Sequence, residues 1–211
     1  MFWIYFLQKL KEYLSDFLLF FLFLLGLLYL WFFSYLGCLD EIQKFSLIKK
    51  MKILNPKQII IALDFDSFEE VSTFVKFLDP EIFRLKIGKQ LYASQGPKIL
   101  EKLNQQGFDI FLDLKLHDIP NTIYKAMKNL LTYKVWMTNI HLLGGEEMIQ
   151  AASEAKEDTK SETLLIGVTV LTSLDSYNIK NMGFDITIPE LVKTLSMSAK
   201  KNKMDGVVCS A

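Results

Sequence analysis

The sequence predicts an α/β protein, namely an incomplete TIM-type (β/α)8 barrel with about six of its eight strand–helix units. Short apolar runs alternate with helical patterns through residues 51–211, and such units build a parallel sheet covered by helices. Polar residues recur at the carboxyl ends of the predicted strands, where barrel enzymes place their catalytic groups. An open doubly wound sheet is the alternative, but no GxGxxG motif follows the first strand.

The first half of the barrel region has clear boundaries. The apolar run 58–64 is the first predicted strand. Ser67 and Glu70 form the capping box of a helix that Asp79-Pro80 ends. The following elements are a strand over 82–87, a helix over 96–106 that stops at Gly107, and a strand over 108–114.

The second half repeats the same alternation. Pro120 lies in the first turn of a helix predicted over 119–131, and Pro189 lies near the start of another. The remaining predicted strands are 135–142, 163–171 and 205–209, and the remaining helices are 145–155 and 188–201. A complete barrel needs about 200 to 250 residues, so we expect two strands to be missing from residues 51–211.

Residues 1–50 form a hydrophobic N-terminal extension. Its segment 17–39 has no charged side chain and is long enough to span a bilayer. Lysines lie on both sides, and the positive-inside rule then places the following domain in the cytoplasm, tethered to the membrane. The alternative is that residues 1–50 arise from a misassigned start and that Met51 opens the natural domain.

The composition disfavours several other functions. Lys+Arg and Asp+Glu are both 24, whereas a nucleic-acid binder that works by bulk charge needs a basic face. The two cysteines, Cys38 and Cys209, fit neither a disulfide scaffold nor a zinc spacing. Arg84 is the single arginine, so the other basic side chains are lysines, which hold phosphate only as point charges.

The segment Asp113-Leu114-Lys115 carries the strongest chemical signal. Strand side chains alternate, so the acid and the amine point to one side of an apolar strand end. An acid held there keeps the amine protonated, and a charged lysine can deliver a proton. Asp64 and Lys86 supply a second acid and lysine on neighbouring strands. A surface salt bridge is the alternative, and the apolar flanks disfavour it.

Five segments, taken in order, resemble orotidine 5'-monophosphate decarboxylase. DLKLHDIPNT within the third segment is long and specific, and the resemblance covers nearly all of residues 57–211. It implies a homodimeric barrel without a cofactor or a metal, which converts orotidine 5'-monophosphate to UMP in pyrimidine biosynthesis. The segments are ALD at 62–64, RLKIGK at 84–89, GFDIFLDLKLHDIPNT at 107–122, VTVLTS at 168–173 and DGVVCSA at 205–211.

The resemblance implies roles for four charged residues. Asp64 would bind the ribose hydroxyls, and Lys86 would join the charged network around the sugar. Asp113 would lie against the substrate carboxylate. Lys115 would stabilise the carbanion that develops at C6 and would then protonate it.

The resemblance also implies roles for four residues outside this network. Asp118 would cross the dimer interface into the partner's site, and Thr122 would help there. Thr172, with Ser173 beside it, would hydrogen-bond the pyrimidine or its neighbourhood.

The sequence departs from this family at its end. Family members continue with strands seven and eight, which carry a phosphate-gripping loop with a glutamine and a Gly-Arg pair beside the phosphate. We therefore expect impaired catalysis, because remote phosphate binding supplies transition-state stabilisation. Two alternatives stay open. One is a non-catalytic remnant, and the other is a magnesium-dependent sugar-phosphate lyase, which shares the D-x-K-x-x-D pattern.

Overall fold

Six parallel strands form a single sheet whose spatial order is the order of the chain. The structure is a computed structural model and describes residues 57–209. The strands are β1 (Ile59–Ala62), β2 (Phe83–Gly88), β3 (Ile110–Leu116), β4 (Met137–His141), β5 (Leu164–Val168) and β6 (Gly206–Val208). The helices are α1 (Phe68–Val75), α2 (Lys89–Gln95), α3 (Lys98–Asn104), α4 (Pro120–Leu131), α5 (Glu146–Thr159), α6 (Ser176–Asn181) and α7 (Ile188–Lys201), and a 3-10 turn covers Leu142–Gly144.

The sheet is an open half-barrel within the described residues. β1 pairs with β2 and β6 pairs with β5, and in residues 57–209 neither edge strand has a second neighbour. This arrangement confirms the predicted parallel sheet and its six strands. Because parallel strands end at the same edge of a sheet, residues that follow them are brought close together.

The core lies between the sheet and its helices. One cluster packs β1, β2 and β3 against the first three helices, and a second packs the later strands against the last four. Phe111 belongs to neither cluster but packs with Met137 and Ile166. Its neighbour Leu112 is fully buried in the first cluster, so successive residues of β3 face opposite sides of the sheet.

The predicted helix over 96–106 is present as α3, although it is shorter than predicted, whereas α2 was not predicted. The chain forms α2 before it and α3 within it, separated by Gly96 and Pro97. Gly96 has a φ of 63°, which a glycine adopts at little cost and which ends α2. Helix α6 was not predicted either, since it is short and buries only Ile179, but Asp175 caps its N-terminus.

The boundaries of the remaining elements follow their predicted signals closely. The Ser67–Glu70 capping box is present, and α7 spans the predicted residues 188–201. β5 ends at Val168, earlier than predicted, because the chain turns before Thr172. In the described part of the chain, no helix is long and apolar enough to cross a bilayer. The predicted membrane segment 17–39 lies outside the described residues.

Candidate active site

Four charged side chains of alternating sign meet at the carboxyl ends of β1, β2 and β3. Lys115 Nζ donates to Asp113 Oδ1 at 2.6 Å, and Lys86 Nζ lies 3.5 Å from Asp113 Oδ2. Lys86 Nζ also lies 3.8 Å from Asp64 Oδ1. We call Asp64, Lys86, Asp113 and Lys115 the charged network. The structure thus brings together the four residues that the sequence singled out for chemistry.

Asp113 is the most buried member of the charged network. The Asp113 side chain is 11% exposed, whereas the Asp64 side chain is 59% exposed. Burial alone would raise the pKa of Asp113, but hydrogen bonds from Lys115 and Asn139 and the charges of Lys115 and Lys86 outweigh it. The net effect lowers the pKa of Asp113, which therefore stays ionised at neutral pH.

The backbone is irregular where it presents Lys115. This residue has a φ of 49°, in the left-handed region that disfavours side chains other than glycine. The β3–β4 pairing shifts here, because Leu112 lies opposite Thr138 while Leu116 lies opposite Ile140. β3 therefore fits extra residues against a shorter length of β4, in the manner of a β-bulge. The alternation of side chains along a strand predicted the Asp113–Lys115 contact correctly, but it did not predict the bulge or the left-handed φ of Lys115.

Asn139 is a residue of the site that the sequence analysis missed. It lies on β4 with 1% exposure. Its Oδ1 accepts from the backbone N–H of Lys115 at 2.7 Å, and its Nδ2 donates to Asp113 Oδ1 at 2.6 Å. The available signal was an uncharged polar side chain within the predicted strand 135–142, where a buried polar group needs hydrogen-bond partners.

The two histidines stack beside the charged network. The rings of His117 and His141 are 5.4 Å apart and inclined by 18°. His141 Nδ1 accepts from the backbone N–H of Leu143. Burial, the neighbouring ring of His117 and the charges of Lys89 and Lys115 lower the pKa of His141. His141 is therefore a neutral side chain whose hydrogen bond to Leu143 indicates a structural role.

The other four predicted site residues are not part of the charged network. Asp118 and Thr122 are exposed at the start of α4, and Asp118 Oδ1 accepts from the backbone N–H of Ile119. Thr172 and Ser173 are exposed in the turn after β5. Within residues 57–209, none of the four has a hydrogen bond or ion pair to the charged network.

Arg84 lies at the opposite end of the same sheet. Its guanidinium is 3.7 Å from the centre of the Trp136 ring, and its Nε donates to Asp109 at 3.2 Å. It therefore serves as the half-buried polar partner of Asp109.

Sequence comparison identifies the family of the barrel region. The sequence model of the "Orotidine 5'-phosphate decarboxylase / HUMPS family" matches residues 57–211. The chain belongs to this family. A relative from Saccharophagus degradans, named orotidine 5'-phosphate decarboxylase, is 53% identical over 161 residues, which cover 76% of this chain and 67% of the relative. A relative of the same name from Aliivibrio fischeri is 45% identical, and the match covers 75% of this chain and 68% of the relative.

Solved structures of family members have the same fold. Orotidine 5'-phosphate decarboxylase from Lactobacillus acidophilus superposes with a TM-score of 0.69 at 36% identity, covering 74% of this chain and 72% of the other. The enzyme from Methanocaldococcus jannaschii, solved with the inhibitor BMP, gives a TM-score of 0.61 at 22% identity over 74% and 68% of the two chains. The chain spans about two thirds of the length of these relatives.

Proposed function

We propose that this chain carries the decarboxylation site for orotidine 5'-monophosphate, which it converts to UMP and CO2. The observation that carries the proposal is the Lys115–Asp113 pair, which lies at 2.6 Å within a network of alternating charge at the strand ends. A lysine held as an ammonium beside a buried carboxylate is suited to place positive charge, and then a proton, at one defined point.

The charged network has places for both ends of a nucleoside. Asp64 is its most exposed member and accepts hydrogen bonds from the ribose hydroxyls. Lys86 lies between the carboxylates of Asp64 and Asp113. Together with Lys115 it balances the two acids, so the network has no net charge. Asp113 and Lys115 lie at the deeper end, where they meet the carboxylate and C6 of the pyrimidine.

The reaction breaks one carbon–carbon bond and forms one carbon–hydrogen bond. The bond from C6 to the carboxyl carbon breaks, CO2 leaves, and the electron pair remains on C6. A proton then passes from Lys115 Nζ to C6 and gives UMP, and solvent returns a proton to the amine. The charged network itself undergoes no change in covalent bonding.

The rate enhancement comes from charges that are fixed before the reaction starts. The ammonium of Lys115 stabilises a negative charge that is larger at C6 in the transition state than in the substrate. Asp113 repels the carboxylate of the bound substrate, and this repulsion ends when CO2 leaves as a neutral molecule. Since Lys86 and Asn139 hold Asp113 in place, it cannot move away from the incoming carboxylate.

The active unit in this proposal is a homodimer. Asp118 and Thr122 lie on the surface at the start of α4, and the Ile119 side chain beside them is 66% exposed. A large apolar residue next to a carboxylate suits a contact in which Asp118 reaches into the partner's site. Thr172 and Ser173 would hydrogen-bond the pyrimidine from the turn after β5.

The test is turnover of orotidine 5'-monophosphate, followed as UMP by chromatography. It uses the full chain and a chimera that joins residues 51–209 to the C-terminal third of the Saccharophagus degradans relative. We expect UMP formation by the chimera, slower formation by the chain as given, and equal rates with and without excess EDTA. Loss of UMP formation in EDTA would show that the reaction needs a metal ion and would contradict the metal-free mechanism. A chimera that folds but forms no UMP would contradict the proposal.

A further inference from the structure

We propose that Asn139 is a positioning residue of the decarboxylation site, which holds Asp113 and the backbone of Lys115 in one fixed relation. This inference rests on the proposed function and adds a residue to it. Asn139 touches no reacting atom in this proposal. It acts through the two residues that its amide group joins.

The Asn139 amide bridges Asp113 and the backbone of Lys115 through two hydrogen bonds, which we call the Asn139 clamp. Asn139 Oδ1 accepts from the N–H of Lys115, and Nδ2 donates to Asp113 Oδ1, at 2.7 and 2.6 Å. Only this orientation of the amide works, because a flipped group would set a donor against the N–H and an acceptor against the carboxylate. Both ends of the amide are therefore specified by their partners.

The Asn139 clamp supplies a hydrogen-bond acceptor that the β3–β4 pairing does not provide. The β3–β4 register shifts between Leu112 and Leu116, so Lys115 has no ladder partner on β4. A partly buried N–H without a partner is destabilising, and the left-handed φ of Lys115 adds to that cost. The Asn139 amide replaces the missing backbone acceptor. It thereby stabilises the conformation that directs Lys115 Nζ to Asp113.

The neighbouring residue Thr138 provides a matched control. It lies on β4 with 0% exposure, and its hydroxyl donates to the backbone oxygen of Leu112 at 3.1 Å. Thr138→Val therefore removes a buried hydrogen bond between the same two strands without contact with Asp113 or Lys115. Asn139→Leu removes both ends of the clamp at similar volume. Asn139→Asp keeps the acceptor for Lys115 and replaces the donor by a second acid.

The first measurement, hydrogen exchange, does not require that the protein be catalytically active. Hydrogen exchange of the Lys115 amide, measured in the full chain, should accelerate at least tenfold in Asn139→Leu and stay near the wild-type rate in Asn139→Asp and Thr138→Val. Unchanged protection in a folded Asn139→Leu chain would overturn the proposal. If Asn139→Leu does not fold, the turnover of Asn139→Asp, measured as a function of pH, tests the proposal instead.

The second readout is turnover, in the full chain or the chimera described above. Asn139→Leu should lower kcat about 100-fold while UMP affinity stays within threefold, and Thr138→Val should stay within threefold in both. Asn139→Asp should be slow at neutral pH and recover as the pH falls. Two adjacent carboxylates raise the pKa of one of them, and the protonated Asp can donate to Asp113 as the amide does.

The two proposals fail in different ways. If neither wild-type protein forms UMP, the proposed function fails, and amide exchange still decides whether the clamp exists. An Asn139→Asp variant without pH-dependent recovery, or an Asn139→Leu variant with wild-type kcat, would overturn the positioning role.

Discussion

At the scale of single residues, the site depends on the partners that surround each carboxylate oxygen of Asp113. Oδ1 accepts from both Lys115 and Asn139, and Oδ2 faces Lys86. A carboxylate with three donors around it is held in orientation as well as in charge. This arrangement explains why the buried Asp113 can remain ionised.

The lowered pKa of Asp113 predicts how stability depends on pH. A lowered folded-state pKa contributes stability that is fully present above the unfolded pKa, about 3.9, and is lost as the pH falls through the folded pKa. The free energy of unfolding of the wild-type chain should therefore drop more than that of Asp113→Asn over this acidic range. Urea titrations at several pH values measure both. Parallel pH curves for the two proteins would contradict the prediction.

At the scale of elements, β3 and β4 build most of the site. Polar residues at strand ends predicted three neighbouring strands and the charged network, because in a parallel sheet these ends meet at one edge. The bulge at Lys115 could not be predicted, since it results from pairing between β3 and β4 and leaves no local turn signal. Asn139 was missed for the same reason, as its two partners come from another strand.

Asp118, just before helix α4, is the predicted contribution of one subunit to the other's site. An Asp118→Ala subunit mixed with a Lys115→Ala subunit gives a heterodimer in which one site keeps both residues. We expect this heterodimer of the chimera to recover up to half of the wild-type activity, whereas each variant alone is inactive. Purification through two different affinity tags isolates the heterodimer. If verified heterodimers remain inactive, each site is built from a single chain.

The loop after α4 offers a stabilising substitution. Lys134 is exposed and has a φ of 52°, a conformation that costs a lysine more than a glycine. Lys134→Gly should raise the free energy of unfolding by about 0.5 to 1 kcal/mol. The control Lys125→Gly, at an exposed position within α4, should lower it by about 1 kcal/mol. Denaturant titrations compare the three proteins, and a destabilised Lys134→Gly variant would refute the expectation.

At the scale of the whole molecule, the open edges of the half-barrel matter for its behaviour in solution. Edge strands present unpaired backbone groups that can pair with another chain. β6 is such an edge within the described residues, and its Val207 and Val208 are each 38% exposed.

The exposed edge predicts association of residues 51–211 when they are produced alone. Val207→Lys should shift the size-exclusion profile toward smaller species, because a charge on an edge strand opposes pairing. Met197→Lys on α7 is the control, since Met197 is 63% exposed but lies away from the edge. Equal effects of the two substitutions would show that general surface hydrophobicity, and not the strand edge, causes association.

The most direct test of the decarboxylase account is the effect of Lys115→Ala on UMP formation by the chimera. We predict a fall in kcat of about 10³-fold or more, because the variant lacks both the ammonium that would stabilise the charge at C6 and the proton donor. Binding of UMP should persist, and the control Lys125→Ala on the exposed face of α4 should retain wild-type turnover. A folded Lys115→Ala chimera that forms UMP at a rate near that of the wild type would contradict the account.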